Sequence, residues 1–469
     1  MRYKCLNAGI RQNNLKPVTR SGVLLKRRVY VTPHPKGKPS ITTHAAIEKI
    51  PKSSVKRKKP IEKTAQIGLA KNKGNAGLCG PIRLQFGALF YGLFCKGNSL
   101  DDVALMKEAL RVAERGRGLV EPNPLVGAVI ARRGVVLARG WHHRFGEAHA
   151  EVDALQKLGG TPPEDAVMYV TLEPCCHYGK TPPCTKALLK AGIKEVVVAT
   201  LDPNPRVNGK GVAELRKAGV RVRVGVLEEE ARYQNAPYFK KTKTGLPFVT
   251  LKWAMSLDGK TATRSGQSRW ISNQRSRILA HKLRAVSDVV MVGVGTVLAD
   301  DPLLTARLFP PQRQQKRVVV DSRGRTPLTS AVVLTARETP TIIATTRYCP
   351  RERAEALRKA GCRLVKLRSK QKRVDLRALL SWLGKRDATN VLVEGGGNIA
   401  ASLIEANLAD RIICFIAPVI IGGADAITPV EGTGVEEVEQ ALRGRITEIR
   451  TLKDNLCIQC DLPMPYLQG

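Results

Sequence analysis

From residue 100 onward the sequence alternates between short runs rich in valine, isoleucine and alanine and stretches whose apolar residues recur at helical spacing. DDVALMKEALRVAERG reads as a helix with acids in its first turn, where the backbone dipole favours them. LVGAVIARRGVVLARGW reads as two β-rich runs around a tight RRG turn. HAEVDALQKLGG is a helix closed by glycines. VMYVTLEP, KEVVVATLD and VRVRVGVL read as strands, and TKALLKAG and GVAELRKAG as helices between them. This alternation predicts a mostly parallel sheet flanked by helices, an α/β domain of about 140 residues.

The rhythm restarts in TKTGLPFVTLKWAMSLDGK, which places a boundary near 244–247. The same alternation follows in SDVVMVGVGTVLADDP, KRVVVDSRGR, TPTIIATT, RERAEALRKAG, NVLVEGGG and NIAASLIEANL, and a strand-rich tail closes the chain. The reading is a domain over 100–244 and a second α/β domain over 247–465, with no repeat between them. At 469 residues, two or three domains are expected. No run of 18 apolar residues occurs, and FGALFYGLFC (86–95) is too short to span a bilayer. A soluble, cytoplasmic protein without a membrane partner is expected.

The formal net charge of +38 suggests nucleic acid until it is located. Residues 1–99 hold 21 lysines and arginines against two acids, Glu48 and Glu62, so half of the excess sits in about a fifth of the chain. Broken by Pro and Gly and lacking an apolar period, this segment reads as a disordered extension. It is open to three explanations: a nucleic-acid arm, an organellar transit peptide, or a start assigned too early. The last is preferred, because no Met lies between Met1 and Met106 and a helix begins at Leu100.

The 11 cysteines are scattered and follow no secretory signal, so reduced thiols are expected, with clustered ones binding metal or reacting. LEPCCHYGKTPPC (172–184) holds three of them. His149 and Glu151 open one helix, and Cys184 leads into another. Helix N-termini favour the thiolate, the form a metal binds. One imidazole and two thiolates leave the fourth tetrahedral position of Zn²⁺ open, as in catalytic sites. Water there loses its proton near neutral pH, and Glu151, close but unbound, would carry a proton to a departing amine. This is the zinc-deaminase pattern, H-x-E followed by P-C. Those enzymes usually close the site with C-x-x-C, whereas eight residues separate Cys175 from Cys184. Adjacent Cys176 points elsewhere along the backbone and reads as a bystander. His142, His143 and His177 read as substrate contacts or satisfied polar groups rather than ligands.

The stretches EPNPLVGAVI, GWHHRFGEAHAEVDAL, YVTLEPCCHYGKTPPCTKALL, LDPNPRVNGKG, LKWAMSLDGK, GVGTVLADDPLLTAR and VLVEGGG together resemble the bifunctional deaminase–reductases of riboflavin biosynthesis, over roughly 100–462. The resemblance implies a cytidine-deaminase-like three-layer domain followed by a dihydrofolate-reductase-like domain. It implies deamination of 2,5-diamino-6-ribosylamino-4(3H)-pyrimidinone 5′-phosphate, then NADPH-dependent reduction of the ribosyl group to ribityl. His149, Cys175 and Cys184 match the family's zinc ligands and Glu151 its proton shuttle. Asn123, His142 and Lys180 fall where the family contacts pyrimidine and phosphate, and a cation in the long loop suits a phosphorylated substrate. Ala254, Trp270, Thr296, Asp300, Ser322 and the run Gly396, Gly397, Asn398, Ile399, Ala400, Ala401 and Ser402 fall at NADP contacts. Lys252, Ser268, Arg284, Leu304, Arg307 and Glu394 fall at substrate contacts, with Arg284 and Arg307 suited to the 5′-phosphate. GVGT is not a full dinucleotide fingerprint, in keeping with a reductase of this fold. A homo-oligomer is expected.

The main rival is a zinc deaminase acting on tRNA or single-stranded nucleic acid, with the basic segment as its arm. The eight-residue Cys-to-Cys spacing, Lys180 and the whole second domain speak against it, so no nucleic-acid partner is expected.

Overall fold

The computed structural model describes residues 25–32, 40–47, 100–309 and 313–468. Within the basic segment, where no regular structure is expected, Leu25–Thr32 pairs antiparallel with Ser40–Ile47. The β-branched and aromatic runs Val29–Tyr30–Val31 and Ile41–Thr42–Thr43 carry the strand preference that the charge count obscured. The remaining residues of the expected disordered extension lie outside the described residues.

The first α/β domain is built on a five-stranded sheet in the order Val135–Trp141, Gly127–Arg132, Ala166–Leu172, Glu195–Thr200, Arg221–Val224. The expected mostly parallel sheet is corrected: the first two pairings are antiparallel and only the last two parallel. The turn at Arg133 and Gly134, both at positive φ, joins its strands in two residues, too few for a parallel crossover. Alternate residues of each strand face opposite layers. Ala128, Ile130, Met168 and Val196 pack on the helices Ala150–Leu158, Cys184–Lys190 and Lys210–Lys217. Val129, Tyr169 and Val197 pack on Leu100–Ala113 and on Ala231 of Glu228–Gln234. Gly140 permits a close approach: a Cβ there would lie 2.2 Å from the carbonyl of Ala150, so only glycine lets this strand meet the start of the helix that follows His149.

The second domain carries a nine-stranded sheet in the order Arg363–Lys366, Thr341–Thr345, Lys316–Val320, Val289–Gly293, Asn390–Glu394, Phe248–Met255, Arg411–Ile416, Asn455–Asp461, Arg445–Leu452. The first seven are parallel, and the last two add an antiparallel hairpin at the edge. Met291 and Val393 face the helices Leu376–Gly384 and Gly397–Glu405, while Val290 and Val292 face the opposite layer. The carboxyl ends of parallel strands open onto a common crevice, where open α/β sheets hold ligands.

Between the sheets stand two helices that the sequence reading did not anticipate, Glu228–Gln234 and Ala236–Thr244. The second ends at Gly245, in the left-handed region at φ 71°. Ala236 and Phe239 share a small core with Leu172 of the first domain and Phe248 and Tyr466 of the second. Lys240, from the same helix, is buried against Asp410, its Nζ 2.5 Å from Oδ2. Asp410 also accepts from the Val249 N–H at 2.7 Å and the Tyr466 hydroxyl at 3.0 Å.

Candidate active sites

His149 is the N-cap of Ala150–Leu158, and Cys184 is the first residue of its own helix after the cap Pro183. Cys175 lies on the loop between the strand Ala166–Leu172 and that second helix. The two turns bring the donor atoms of His149, Cys175 and Cys184 within 4.8 Å of one another. His149 Nδ1 lies 3.2 Å from Cys184 Sγ and 3.5 Å from Cys175 Sγ, so this nitrogen faces the sulfurs. Its Nε2 turns to the Thr181 hydroxyl at 3.3 Å, a partner in the long loop that the sequence reading missed. Cys176 is outside the trio, its Sγ directed at the carbonyl of Arg206.

The electrostatics fit a dication. Cys184 S–H, His149 and the Cys184 backbone N–H all point at Cys175 and hold its thiol far below the usual range, to about 4. Hydrogen bonding to Cys175, burial and the nearby Glu151 push Cys184 up, so the two sulfurs contend for one proton. A metal ion among the three donors would draw both to the thiolate. Glu151 is buried beside Cys184, and burial holds its carboxyl above the usual range.

His142 is oriented from both ring nitrogens. Nδ1 donates to the Ala148 carbonyl at 3.0 Å, leaving Nε2 to accept from Asn123 at 3.1 Å. Its ring meets that of His149 edge-on at 5.3 Å, so Asn123 and His142 stand beside the trio. Lys180 is exposed, with its ammonium 3.8 Å from the centre of the Phe145 ring. His143 is not part of this site: it stacks on Trp141 and contacts Asp153 at 3.1 Å. Glu173, unassigned in the sequence reading, is buried and accepts backbone N–H groups of Asp202, Gly209 and Val212, tying the LEPCC turn to the LDPNP loop. Asp202, in that loop, has its carboxyl raised by burial to about 6. The second domain also reaches this region. Arg313 contacts Glu121 Oε2 at 3.4 Å, two residues before Asn123, and Asp288 at 2.5 Å.

In the second domain a cleft of about 2020 Å³ gathers every candidate named there: Lys252, Ala254, Ser268, Trp270, Arg284, Thr296, Asp300, Leu304, Arg307, Ser322, Glu394 and 396–402. The parallel strands explain the convergence. Lys252 and Ala254 lie towards the end of Phe248–Met255, Glu394 ends Asn390–Glu394, and Ser322 follows Lys316–Val320. At the floor, Arg284 grips both oxygens of Glu394, Nε to Oε1 at 2.6 Å and Nη2 to Oε2 at 2.7 Å. Lys252 Nζ stands 3.7 Å from the same carboxylate. Burial opposes the charge on Glu394, yet Arg284 and Lys252 together hold its carboxyl down to about 2. Burial lowers Lys252, partly offset by Glu394.

This geometry alters two expectations. The Arg284 fork is taken up by Glu394, which leaves exposed Arg307 as the freer cation for an incoming anion. Ser268 and Asp300, assigned to different ligands, bond to each other at 2.8 Å. The Gly-rich turn also suits a phosphate-bearing cofactor. Gly395 and Gly396 sit at positive φ before the helix Gly397–Glu405, and a Cβ on Gly395 would lie 3.1 Å from Thr296 Oγ1.

An imidazole–dithiolate trio beside a buried acid, joined in one chain to a cofactor-sized cleft, defines a zinc-dependent deaminase coupled to a reductase. The cytidine and deoxycytidylate deaminase zinc-binding region matches residues 100–200, and the RibD C-terminal domain matches 247–458. The riboflavin biosynthesis protein RibD of Aquifex aeolicus is 43% identical over 76% of this chain and 97% of its own length. That of Escherichia coli is 38% identical over 76% and 99%. The solved RibD of Acinetobacter baumannii superposes with TM-score 0.69 at 35% identity, covering 77% of this chain and 99% of that one. The chain belongs to the RibD family of riboflavin biosynthesis. It is a bifunctional hydrolase and oxidoreductase, using zinc for deamination and NADPH for reduction. Among the described residues no helix is long and apolar enough to cross a membrane.

Proposed function

We propose that the chain deaminates 2,5-diamino-6-ribosylamino-4(3H)-pyrimidinone 5′-phosphate and then reduces the ribosyl group of the product to give 5-amino-6-ribitylamino-uracil 5′-phosphate. The observation that carries this reading is the presence in one chain of the His149–Cys175–Cys184 trio with Glu151 beside it and of a cleft where all the second-domain candidates converge. A Thermotoga maritima structure described as a diaminohydroxyphosphoribosylaminopyrimidine deaminase and 5-amino-6-(5-phosphoribosylamino)uracil reductase supports it, at 32% identity, TM-score 0.67 and coverage of 77% of this chain and 99% of that one.

Zinc, when held by the trio, supplies the Lewis acidity that makes water a nucleophile at neutral pH. Glu151 takes a proton from the attacking water and gives it to the leaving nitrogen, a role suited to a carboxyl whose protonated form burial favours. Asn123 and His142, fixed to each other, orient the pyrimidine, and Lys180 answers the phosphate. In the cleft, NADPH, when bound, would supply the hydride that reduces the opened ribosylamine. Lys252 and Glu394 steady the charge there, and Arg307 receives the 5′-phosphate. Ala254, Trp270, Thr296, Asp300, Ser322 and residues 396–402 hold the cofactor, while Ser268, Arg284 and Leu304 line the substrate's side. The domains fall at 100–244 and 247–465.

A homo-oligomer is supported by the edge strand Arg445–Leu452, which exposes Ile446 and Ile449 near exposed Val438 and Leu442. All eight cysteines among the described residues are free, which suits a reducing, cytoplasmic location.

A coupled assay on the full chain tests the reading. Ammonia release from the diamino-pyrimidinone ribosyl phosphate should precede NADPH oxidation. Ammonia without NADPH oxidation would remove the second activity, and its absence despite bound zinc would remove the first.

A further inference from the structure

The helix Gly397–Glu405 begins where the Gly395–Gly396 turn ends, and its first N–H groups are a ready site for an anion. Glu431 already lies against that end of the helix. The Asn398 amide donates to the Glu431 carboxylate, and the Glu431 N–H donates to the Gly397 carbonyl at 3.3 Å. A Cβ on Gly397 would fall 2.7 Å from Glu431 Cγ and 3.0 Å from its Oε1, so the acid side chain lies in the space that glycine leaves. The next residue, Gly432, continues along the same helix. A Cβ there would stand 3.0 Å from Ala401 Cβ and 2.8 Å from Glu405 Oε1. Glu431 and Gly432 thus pack against Gly397, Asn398 and Ala401, three of the seven consecutive residues assigned to the cofactor. Behind them the segment is tied to the loop after Phe248–Met255, through the Thr261 N–H to the Ile427 carbonyl at 2.8 Å.

A carboxylate beside a helix N-terminus is stabilised by the same field that attracts a phosphate, and two anions crowded at one helix end repel. We propose that Glu431 is an internal competitor for a phosphate of NADPH at the N-terminus of Gly397–Glu405, and that cofactor binding displaces Glu431 and the segment that carries it. The proposal rests on the reading that residues 396–402 hold the cofactor. Glu431 is then a determinant of cofactor affinity that touches neither the transferred hydride nor the substrate. It lowers affinity for NADPH while holding the Asn398 amide between turnovers.

The test is the equilibrium dissociation constant of NADPH for the full chain and for Glu431→Gln, by calorimetry, together with hydrogen exchange with and without NADPH. The amide keeps the shape and removes the charge, so the variant should bind NADPH about fivefold more tightly, the scale of one charge at a helix end. In the wild type, NADPH should protect 396–405 and increase exchange at 427–433. Equal or weaker binding by the variant, with 396–405 still protected, would overturn the competitor role; weaker binding would make Glu431 a cofactor contact. No protection at 396–405 would overturn the cofactor assignment itself, and the competitor with it.

Discussion

Arg284 holds Glu394 by both carboxylate oxygens, at 2.6 and 2.7 Å, at the floor of the reductase cleft. The pair fixes the ionisation of the acid that faces Lys252. A carboxyl held down to about 2 stays charged across the working range, so reduction should show no acid limb from Glu394 between pH 5 and 8. The sign of its effect on stability follows. The folded value lies below the ordinary one, 4.5, so this contribution is fully present above about pH 4.5 and disappears as the pH falls through about 2. Acid denaturation of Glu394→Gln should lack that component. The same variant should lose NADPH oxidation by tenfold or more, while ammonia release stays within about twofold.

Arg284→Met removes one partner of a buried pair and leaves the carboxylate with Lys252 alone. A loss of about 3 kcal/mol in urea denaturation is expected. Adding Glu394→Gln should restore part of it, because the cost lies in the stranded charge. A double variant no more stable than Arg284→Met would show that packing, not charge, sets the loss.

Glu151→Gln separates the two reactions. Zinc content should match the wild type, ammonia release should fall about 10²- to 10⁴-fold, and reduction of supplied deaminated intermediate should persist. Near-normal deamination by this variant would remove Glu151 from the proton transfer.

The three neighbouring sulfurs are distinguished by metal analysis. Cys184→Ser should be isolated largely without zinc, since it strips one of three donors. Cys176→Ser should keep a full complement, because its sulfur is directed at the Arg206 carbonyl and away from the trio. Loss of zinc in Cys176→Ser would make it a ligand after all.

Lys240→Met should destabilise the chain by about 3 kcal/mol at pH 7, since Asp410 would keep only its bonds from Val249 and Tyr466 in a buried site. The urea midpoint of the variant, compared with that of Lys240→Met/Asp410→Asn, measures how much of this is unpaired charge.

The metal trio and Glu151 were legible because H-x-E and P-C each sit on a strand-to-helix turn, a local pattern with local chemistry. The helices behind His149 and Cys184 were equally plain, through their periodicity and closing glycines. The contacts of the second domain carry no such signal. Their assignment came from resemblance, and only the parallel strands explain why Lys252, Glu394 and Ser322 meet. The antiparallel half of the first sheet was misread because the strand–helix alternation after it set the overall reading, although two β-runs joined by a tight RRG turn can pair only antiparallel. What no local pattern reveals is pairing between distant loops: Arg313 finds Glu121 across 192 positions, and Glu431 finds Asn398 across 33.

The small core formed by Leu172, Ala236, Phe239, Phe248 and Tyr466 has a consequence for anyone wishing to use the two activities apart. A cut at 245–247, the natural place by sequence, would bare Ala236 and Phe239 on one fragment and Phe248 and Tyr466 on the other. It would also send Lys240 and Asp410 into solvent from opposite sides. Residues 100–468 are two catalysts by chemistry but share one core, and a gene split at that point would yield two fragments with adhesive faces, each suited above all to finding the other again.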